Sequence, residues 1–170
     1  MKRLIILRGY PGSGKTTVGK ILASKGYGIF IDHNAILTFI ASYTENDDGI
    51  YDQINQLEMS MTKKLLQDGK SVIIARGFGK RRSMEGYLEA ARLTSSEIDV
   101  VRLEVSSEKL ALRVQSPNRT ADFNPTKTPA ALNEWMANNP LGDRDEDVVV
   151  DAGMEIEYVI QGIQKALDWS

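Results

Sequence analysis

Short apolar runs and amphipathic periods alternate along the chain. Leu4–Leu7 is an apolar run ended by Gly9 and reads as a buried strand. Lys15–Lys25 follows with Val18, Ile21 and Leu22 on one face and Gly26 just past its end, the pattern of a helix with a glycine C-cap. Gly28–Asp32 predicts a second strand. Ile50, Ile54, Leu57, Met61 and Leu65 recur at four- and three-residue steps and predict a long helix that buries that face and stops near Gly69. Ser71–Ala75 predicts a third strand, and Met84, Tyr87, Leu88 and Ala91 the inner face of another helix. Ile98–Val105 predicts a fourth strand, after which Ser106 or Ser107 can cap a helix carrying Leu110, Leu112 and Val114. Thr128 and Pro129 read as N-cap and first residue of a helix reaching about Asn138, where Asn139-Pro140 stops it. Asp147–Asp151 encloses three valines, a fifth strand, and Ile156, Val159, Ile160, Ile163 and Leu167 mark the last helix.

Strands that are apolar on both faces and alternate with helices predict an α/β fold with a parallel sheet covered on both sides. The alternation breaks once, between Gln115 and Thr128, where Ser116-Pro117-Asn118 and Asn124-Pro125 predict a loop. No repeat or linker divides the 170 residues, so residues 1–170 are expected to form a single domain. The net charge of −2 disfavours dedicated binding of long nucleic acid or an anionic membrane. The absence of cysteine excludes disulfides, cysteine-ligated metals and cysteine nucleophiles, and a single histidine, His33, excludes multi-histidine metal sites. Residues Met1–Arg8 begin like a signal peptide, but the apolar run is only Leu4–Leu7, and no stretch has the ~18 apolar residues of a membrane helix, so a cytoplasmic protein is expected.

One motif carries chemistry. Gly9-Tyr10-Pro11-Gly12-Ser13-Gly14-Lys15-Thr16-Thr17 matches the P-loop pattern G-x-x-x-x-G-K-[ST], placed between an apolar strand and an amphipathic helix as that motif requires. The glycines let successive backbone N–H groups turn toward phosphate oxygens, and the helix that follows adds its N-terminal dipole. Lys15 can bridge the β- and γ-phosphates, and the Thr16 hydroxyl can ligate Mg²⁺. Asp32 ends the second strand, and ligands of open α/β sheets bind at the carboxyl ends of strands, so Asp32 is expected beside the loop. His33 is adjacent and reads as a surface or helix-start residue.

On the P-loop and this layout, the chain resembles the small P-loop kinases, the group of gluconate-kinase-like and polynucleotide-5′-kinase-like ATP-dependent phosphotransferases. The resemblance implies a five-stranded parallel sheet of order 2-3-1-4-5, and a lid between the fourth and fifth strands, here about residues 115–140. It implies ATP and Mg²⁺ as cofactors and a small-molecule acceptor. In resembling kinases an acidic residue at the position of Asp32 activates or orients the acceptor hydroxyl. An arginine placed like Arg113 stacks on adenine, and one placed like Arg119 acts on the transferring phosphoryl group; a planar, permanently charged guanidinium suits both tasks. Arg76, Gly77, Phe78, Gly79, Lys80, Arg81 and Arg82 stand where such kinases line the acceptor pocket, and cations there would suit an anionic acceptor. Asp151-Ala152-Gly153 falls where they wrap the adenine, with Gly153 permitting close approach.

The sequence departs from the common pattern in one place: Ile73-Ile74-Ala75-Arg76 carries no Walker-B aspartate. That leaves open a nucleotide-binding module or an ATPase that transfers phosphate only to water. A polynucleotide or nucleoside 5′-hydroxyl kinase shares the P-loop and Asp32 and also stays open. A GTP-dependent switch is disfavoured, because neither N/T-K-x-D nor D-x-x-G occurs. The acidic run Glu45-Asn46-Asp47-Asp48 reads as a solvated turn, and Trp135 and Trp169 as packing residues.

Overall fold

The computed structural model describes residues 2–43, 49–78, 82–116, 126–142, 144–145 and 147–169. Five strands, β1 (Arg3–Arg8), β2 (Ile29–Ile31), β3 (Val72–Arg76), β4 (Glu97–Glu104) and β5 (Asp147–Asp151), pair in parallel in the order β2-β3-β1-β4-β5. Parallel pairing requires crossovers, and the helices supply them: α1 (Lys15–Ser24), α2 (His33–Ala41), α3 (Ile50–Gln67), α4 (Arg82–Leu93), α5 (Ser107–Val114), α6 (Pro129–Asn138) and α7 (Ile156–Ala166). This is the expected α/β class and strand order. The stretch from Ser116-Pro117-Asn118 to Asn124-Pro125 lies almost wholly outside the described residues, as does the Glu45–Asp48 run.

Alternate residues of the central strands enter two cores. Leu4, Ile6, Val72, Ile74 and Val100 pack with Leu66 of α3 and Met84, Tyr87, Leu88 and Ala91 of α4. Ile5, Leu7, Ile73, Val101 and Leu103 pack with Val18 and Leu22 of α1 and Val159, Ile160 and Ile163 of α7. Covering both faces explains why the strands read as unbroken apolar runs.

Helix ends follow their sequence signals. Ser106 caps α5 by accepting from the Lys109 N–H, and Thr128 caps α6, with Pro129 in its first turn, by accepting from the Ala131 N–H. One predicted face is corrected. The buried ridge of α3 is Ile50, Ile54, Glu58, Thr62 and Leu66, while Leu57 and Met61 are exposed. The ridge advances in steps of four, so from Glu58 onward it takes the neighbour of each predicted apolar residue. On α5, Leu110 and Val114 face inward and Leu112 is exposed. The sequence reading also passed over α2.

The sheet brings three arginines side by side. Arg76, Arg8 and Arg102 are register partners on β3, β1 and β4, and matched positions of a parallel sheet present their side chains on one face. Each has an acidic partner: Arg76 pairs with Glu58 at 2.9 Å, Arg8 with Asp147 at 2.5 Å and Arg102 with Glu104 at 2.8 Å. Arg8 is wholly buried, and its guanidinium also donates to the carbonyls of Leu141 and Gly142. The residue just before the P-loop therefore ties β5 and the segment after α6 to the centre of the sheet.

Candidate functional site

The P-loop leaves β1 at the middle of the sheet and enters α1 at Gly14. Its glycines are dictated by space and by backbone. A Cβ on Gly9 would stand 2.6 Å from Ser13 Oγ and 2.9 Å from the Leu103 carbonyl. Gly14 is the N-cap of α1 in the left-handed region, φ 93°, which favours glycine. Gly14 has no side chain to cap the helix, so α1 starts without a side-chain cap, the arrangement that accepts an anion. Ser13 is buried, Pro11, Gly12 and Thr16 are half-buried, and Thr17 is exposed on the first turn. Lys15 Nζ donates to the carbonyls of Gly9 at 2.9 Å and Tyr10 at 2.8 Å and lies 3.3 Å from Ser13 Oγ, which holds the ammonium over the loop.

Helix α5 bridges the two segments expected around a base. Arg113 NH1 approaches the Gly12 carbonyl at 3.5 Å, and Lys109, one turn earlier, donates to the Gly153 carbonyl at 3.0 Å. Arg113 and Gly153 are thus attached to the same helix. A cavity of about 570 Å³ opens on this side, lined among others by Tyr10, Ser13, Glu104, Ser106, Leu110 and Asp151. It lies toward β4 and β5, away from Asp32 at the opposite edge of the sheet.

Asp32 leaves β2 and caps α2. Its Oδ1 accepts the N–H groups of Asn34 at 3.1 Å and Ala35 at 3.3 Å, and its Oδ2 pairs with Lys20 of α1 at 3.2 Å. The side chain is 17% exposed, so the carboxylate is held by its partners and still reached by solvent.

Arg76 is committed to neighbours. Its NH1 donates to Glu58 Oε2 at 2.9 Å and to Asn55 Oδ1, and its guanidinium lies 5.9 Å from the Phe78 ring centroid. Gly77 follows under the Trp135 ring, where an added Cβ would lie 3.1 Å from Cη2. Trp135 also meets Tyr10 of the P-loop edge-on, with centroids 6.3 Å apart. The half-buried Trp135 thus touches both the loop and the end of β3. Arg119, Gly79, Lys80 and Arg81 lie outside the described residues, and the Arg82 side chain is not described.

Sequence reasoning missed Glu58. It is 1% exposed, and His33 Nδ1–H donates to its Oε1 at 2.7 Å while Tyr87 OH donates to its Oε2 at 2.9 Å. Burial alone would raise its pKa. The hydrogen bond from His33, the charge His33 carries when protonated, the charge of Arg76 and the Tyr87 hydrogen bond outweigh burial and hold the carboxyl below its ordinary value. Burial, seconded by the Glu58 charge, pushes the Tyr87 phenol well above its ordinary range, so it stays a donor. A polar residue on the buried ridge of an amphipathic helix was the only signal available, and the neighbouring Leu57 masked it.

The family described as AAA domain matches residues 4–139. The shikimate kinase of Azobacteroides pseudotrichonymphae genomovar. CFP2 is 25% identical over 142 residues, covering 81% of this chain and 80% of that protein. In fold, the chain is similar to a gluconokinase from Sinorhizobium meliloti 1021, with TM-score 0.66 and 21% identity over 96% of this chain and 90% of the other. It is also similar to a sugar kinase from Janibacter sp. HTCC2649, with TM-score 0.71 and 20% identity over 99% and 95% of the two chains.

Proposed function

Because the chain belongs to this AAA domain family of P-loop proteins and has the fold of small P-loop kinases, we propose that it transfers the γ-phosphoryl group of ATP to a hydroxyl of a small-molecule acceptor. The reading is carried by a P-loop helix start with no side-chain cap and an acidic side chain at the end of β2 that is tied to the same helix through Lys20. The loop Gly9–Thr17 would receive the phosphates on backbone N–H groups. Lys15 would stabilise charge on the transferred group, as would Arg119 from the segment between β4 and β5. Arg113 and Gly153, both held to α5, would flank the adenine. Asp32 would orient the acceptor hydroxyl and take its proton, and Gly77 and Arg76 would form the neighbouring wall of the acceptor pocket.

Mg²⁺ fits the donor set. No group of three His, Asp or Glu side chains forms a metal cluster among the described residues. A cation that keeps several waters and binds substrate phosphates needs few protein ligands, and the Thr16 hydroxyl at the start of α1 would be one. The ion would neutralise charge on the phosphates.

Three features support a small acceptor in the cytoplasm: the kinase neighbours, the absence of a helix long and apolar enough to cross a membrane among the described residues, and the net charge of −2. The experiment is a transfer screen with γ-labelled ATP and Mg²⁺ against sugars and sugar acids, shikimate-like cyclic polyols, nucleosides and 5′-hydroxyl oligonucleotides. Label entering one small-molecule class is the expected result. Label entering only oligonucleotides or nucleosides would replace this reading with a 5′-hydroxyl kinase. ATP hydrolysis equal with and without every acceptor would replace it with an ATPase.

A further inference from the structure

Glu58 is a buried carboxylate to which the proposed reaction gives no task. Burying a charge is costly unless it is paired and hydrogen-bonded, and both oxygens of Glu58 are. Its partners come from three elements: His33 at the start of α2, Arg76 at the end of β3 and Tyr87 inside α4. Tyr87 belongs to the core, but His33 and Arg76 stand at the strand ends where the acceptor is proposed to bind.

The contact with Glu58 fixes more than the place of the imidazole. An ionised carboxylate can only accept, so Nδ1 carries the proton, and the neutral ring then has its lone pair on Nε2. Nε2 has no hydrogen-bond partner among the described residues, and the His33 side chain is 16% exposed. The preceding residue, Asp32, spends Oδ1 on the start of α2 and Oδ2 on Lys20. Two consecutive residues therefore sit at the end of β2: a carboxylate shared with the protein, and an oriented imidazole whose Nε2, in the neutral ring, is free to accept.

Resting on the kinase reading, we propose that His33 is a second acceptor-side residue, whose Nε2 accepts a hydrogen bond from a hydroxyl of the phosphoryl acceptor, and that Glu58 is the positioning residue that fixes its tautomer. The histidine thus adds a direction for the acceptor, beside the proton acceptance assigned to Asp32. No covalent step passes through it.

The chain has a single histidine, so imidazole ¹⁵N signals belong to His33 alone. At mildly alkaline pH the wild type is expected to show protonated Nδ1 and bare Nε2, Glu58→Gln is expected to lose that preference, and the Nε2 signal is expected to move with acceptor but not with nucleotide alone. Protonated Nε2 in the wild type, or an unchanged tautomer in Glu58→Gln, overturns the proposal. Kinetics supply the second arm. In His33→Asn the amide nitrogen can replace Nδ1 toward Glu58 while nothing replaces Nε2. This variant is expected to keep its melting temperature and its KM for ATP and to lose about tenfold or more in kcat/KM for the acceptor. His33→Gln, whose amide reaches the place of Nε2, is expected to recover part of that loss. An acceptor kcat/KM within about twofold of wild type in His33→Asn overturns the proposal. If the wild type transfers phosphate to no acceptor, the kinase reading fails and this role falls with it, whatever the tautomer.

Discussion

Replacing Glu58 with glutamine removes one charge and leaves the volume, so its cost isolates the electrostatics of the α3 ridge. In the native chain the carboxylate satisfies Arg76, His33 and Tyr87 at once. Glutamine has one acceptor oxygen, and its NH₂ group would face the donors. Breaking a buried ion pair by removing one partner costs about 3–5 kcal/mol. The lower end applies here, about 3 kcal/mol, because the Arg76 side chain keeps 21% exposure and the Asn55 contact. For a chain of this size each kcal/mol lowers Tm by roughly 2–4 °C, so Glu58→Gln should melt about 6–12 °C lower at neutral pH. Thermal unfolding followed by circular dichroism measures it, and a double-mutant cycle with Arg76→Met should show a coupling of about 1–3 kcal/mol. The folded pKa of Glu58 is depressed, so its stabilisation is fully present above the ordinary value of 4.5 and is lost as pH falls through the lower folded value. The gap between wild type and Glu58→Gln should therefore persist above about pH 4.5, narrow as pH falls toward the lower folded value and close below it. A Tm within about 2 °C of wild type, or strict additivity with Arg76→Met, would show that the Glu58 charge does not stabilise the fold through Arg76.

Asp32→Asn should separate capping from chemistry: asparagine caps as well as aspartate, so Tm should change by no more than a few degrees while transfer drops by about 10²-fold or more, whereas Asp32→Ala should also lose about 1 kcal/mol in thermal denaturation. Gly19→Ala should destabilise by about 1–3 kcal/mol in urea titrations, since the new Cβ would stand 2.5 Å from the Phe30 ring, and adding Phe30→Leu should recover much of the loss. Gly77→Ala should push Trp135 away from the end of β3, read as a shift in tryptophan emission that is absent in Gly77→Ala combined with Trp135→Phe.

Where local chemistry decides an element, the sequence revealed it. The strand–loop–helix unit around Gly9–Thr17 is written in glycine spacing, and α5 and α6 in the caps Ser106 and Thr128. The sheet follows from apolar runs that only a doubly covered strand can bury. Helix α2 escaped because it is short and mostly apolar, with only Leu37 buried and Phe39 exposed, so it has no legible period. The face of α3 was misjudged because periodicity rewards apolar residues, and Glu58 and Thr62 occupy the ridge that Leu57 and Met61 seemed to claim. The candidate site divides the same way. Lys15 and Asp32 could be placed from motif and strand end. The commitment of Arg76 and the orientation of His33 could not, since both depend on a carboxylate 18 and 25 residues away along the chain. The Arg8–Asp147 pair, separated by 139 positions, is a product of sheet order and has no sequence signature.

In the proposed reaction the loop Gly9–Thr17 and Asp32 act together to pass phosphate from ATP to a bound hydroxyl. Its most direct measurement is single-turnover transfer of label from γ-labelled ATP to the acceptor found in the screen, for wild type, Lys15→Ala and Asp32→Asn, with nucleotide affinity measured in parallel. Acceptor-dependent label is expected in the wild type, none in Lys15→Ala, and a much slower transfer in Asp32→Asn at nearly unchanged ATP affinity. Equal transfer by wild type and Asp32→Asn, or full transfer by Lys15→Ala, would contradict it.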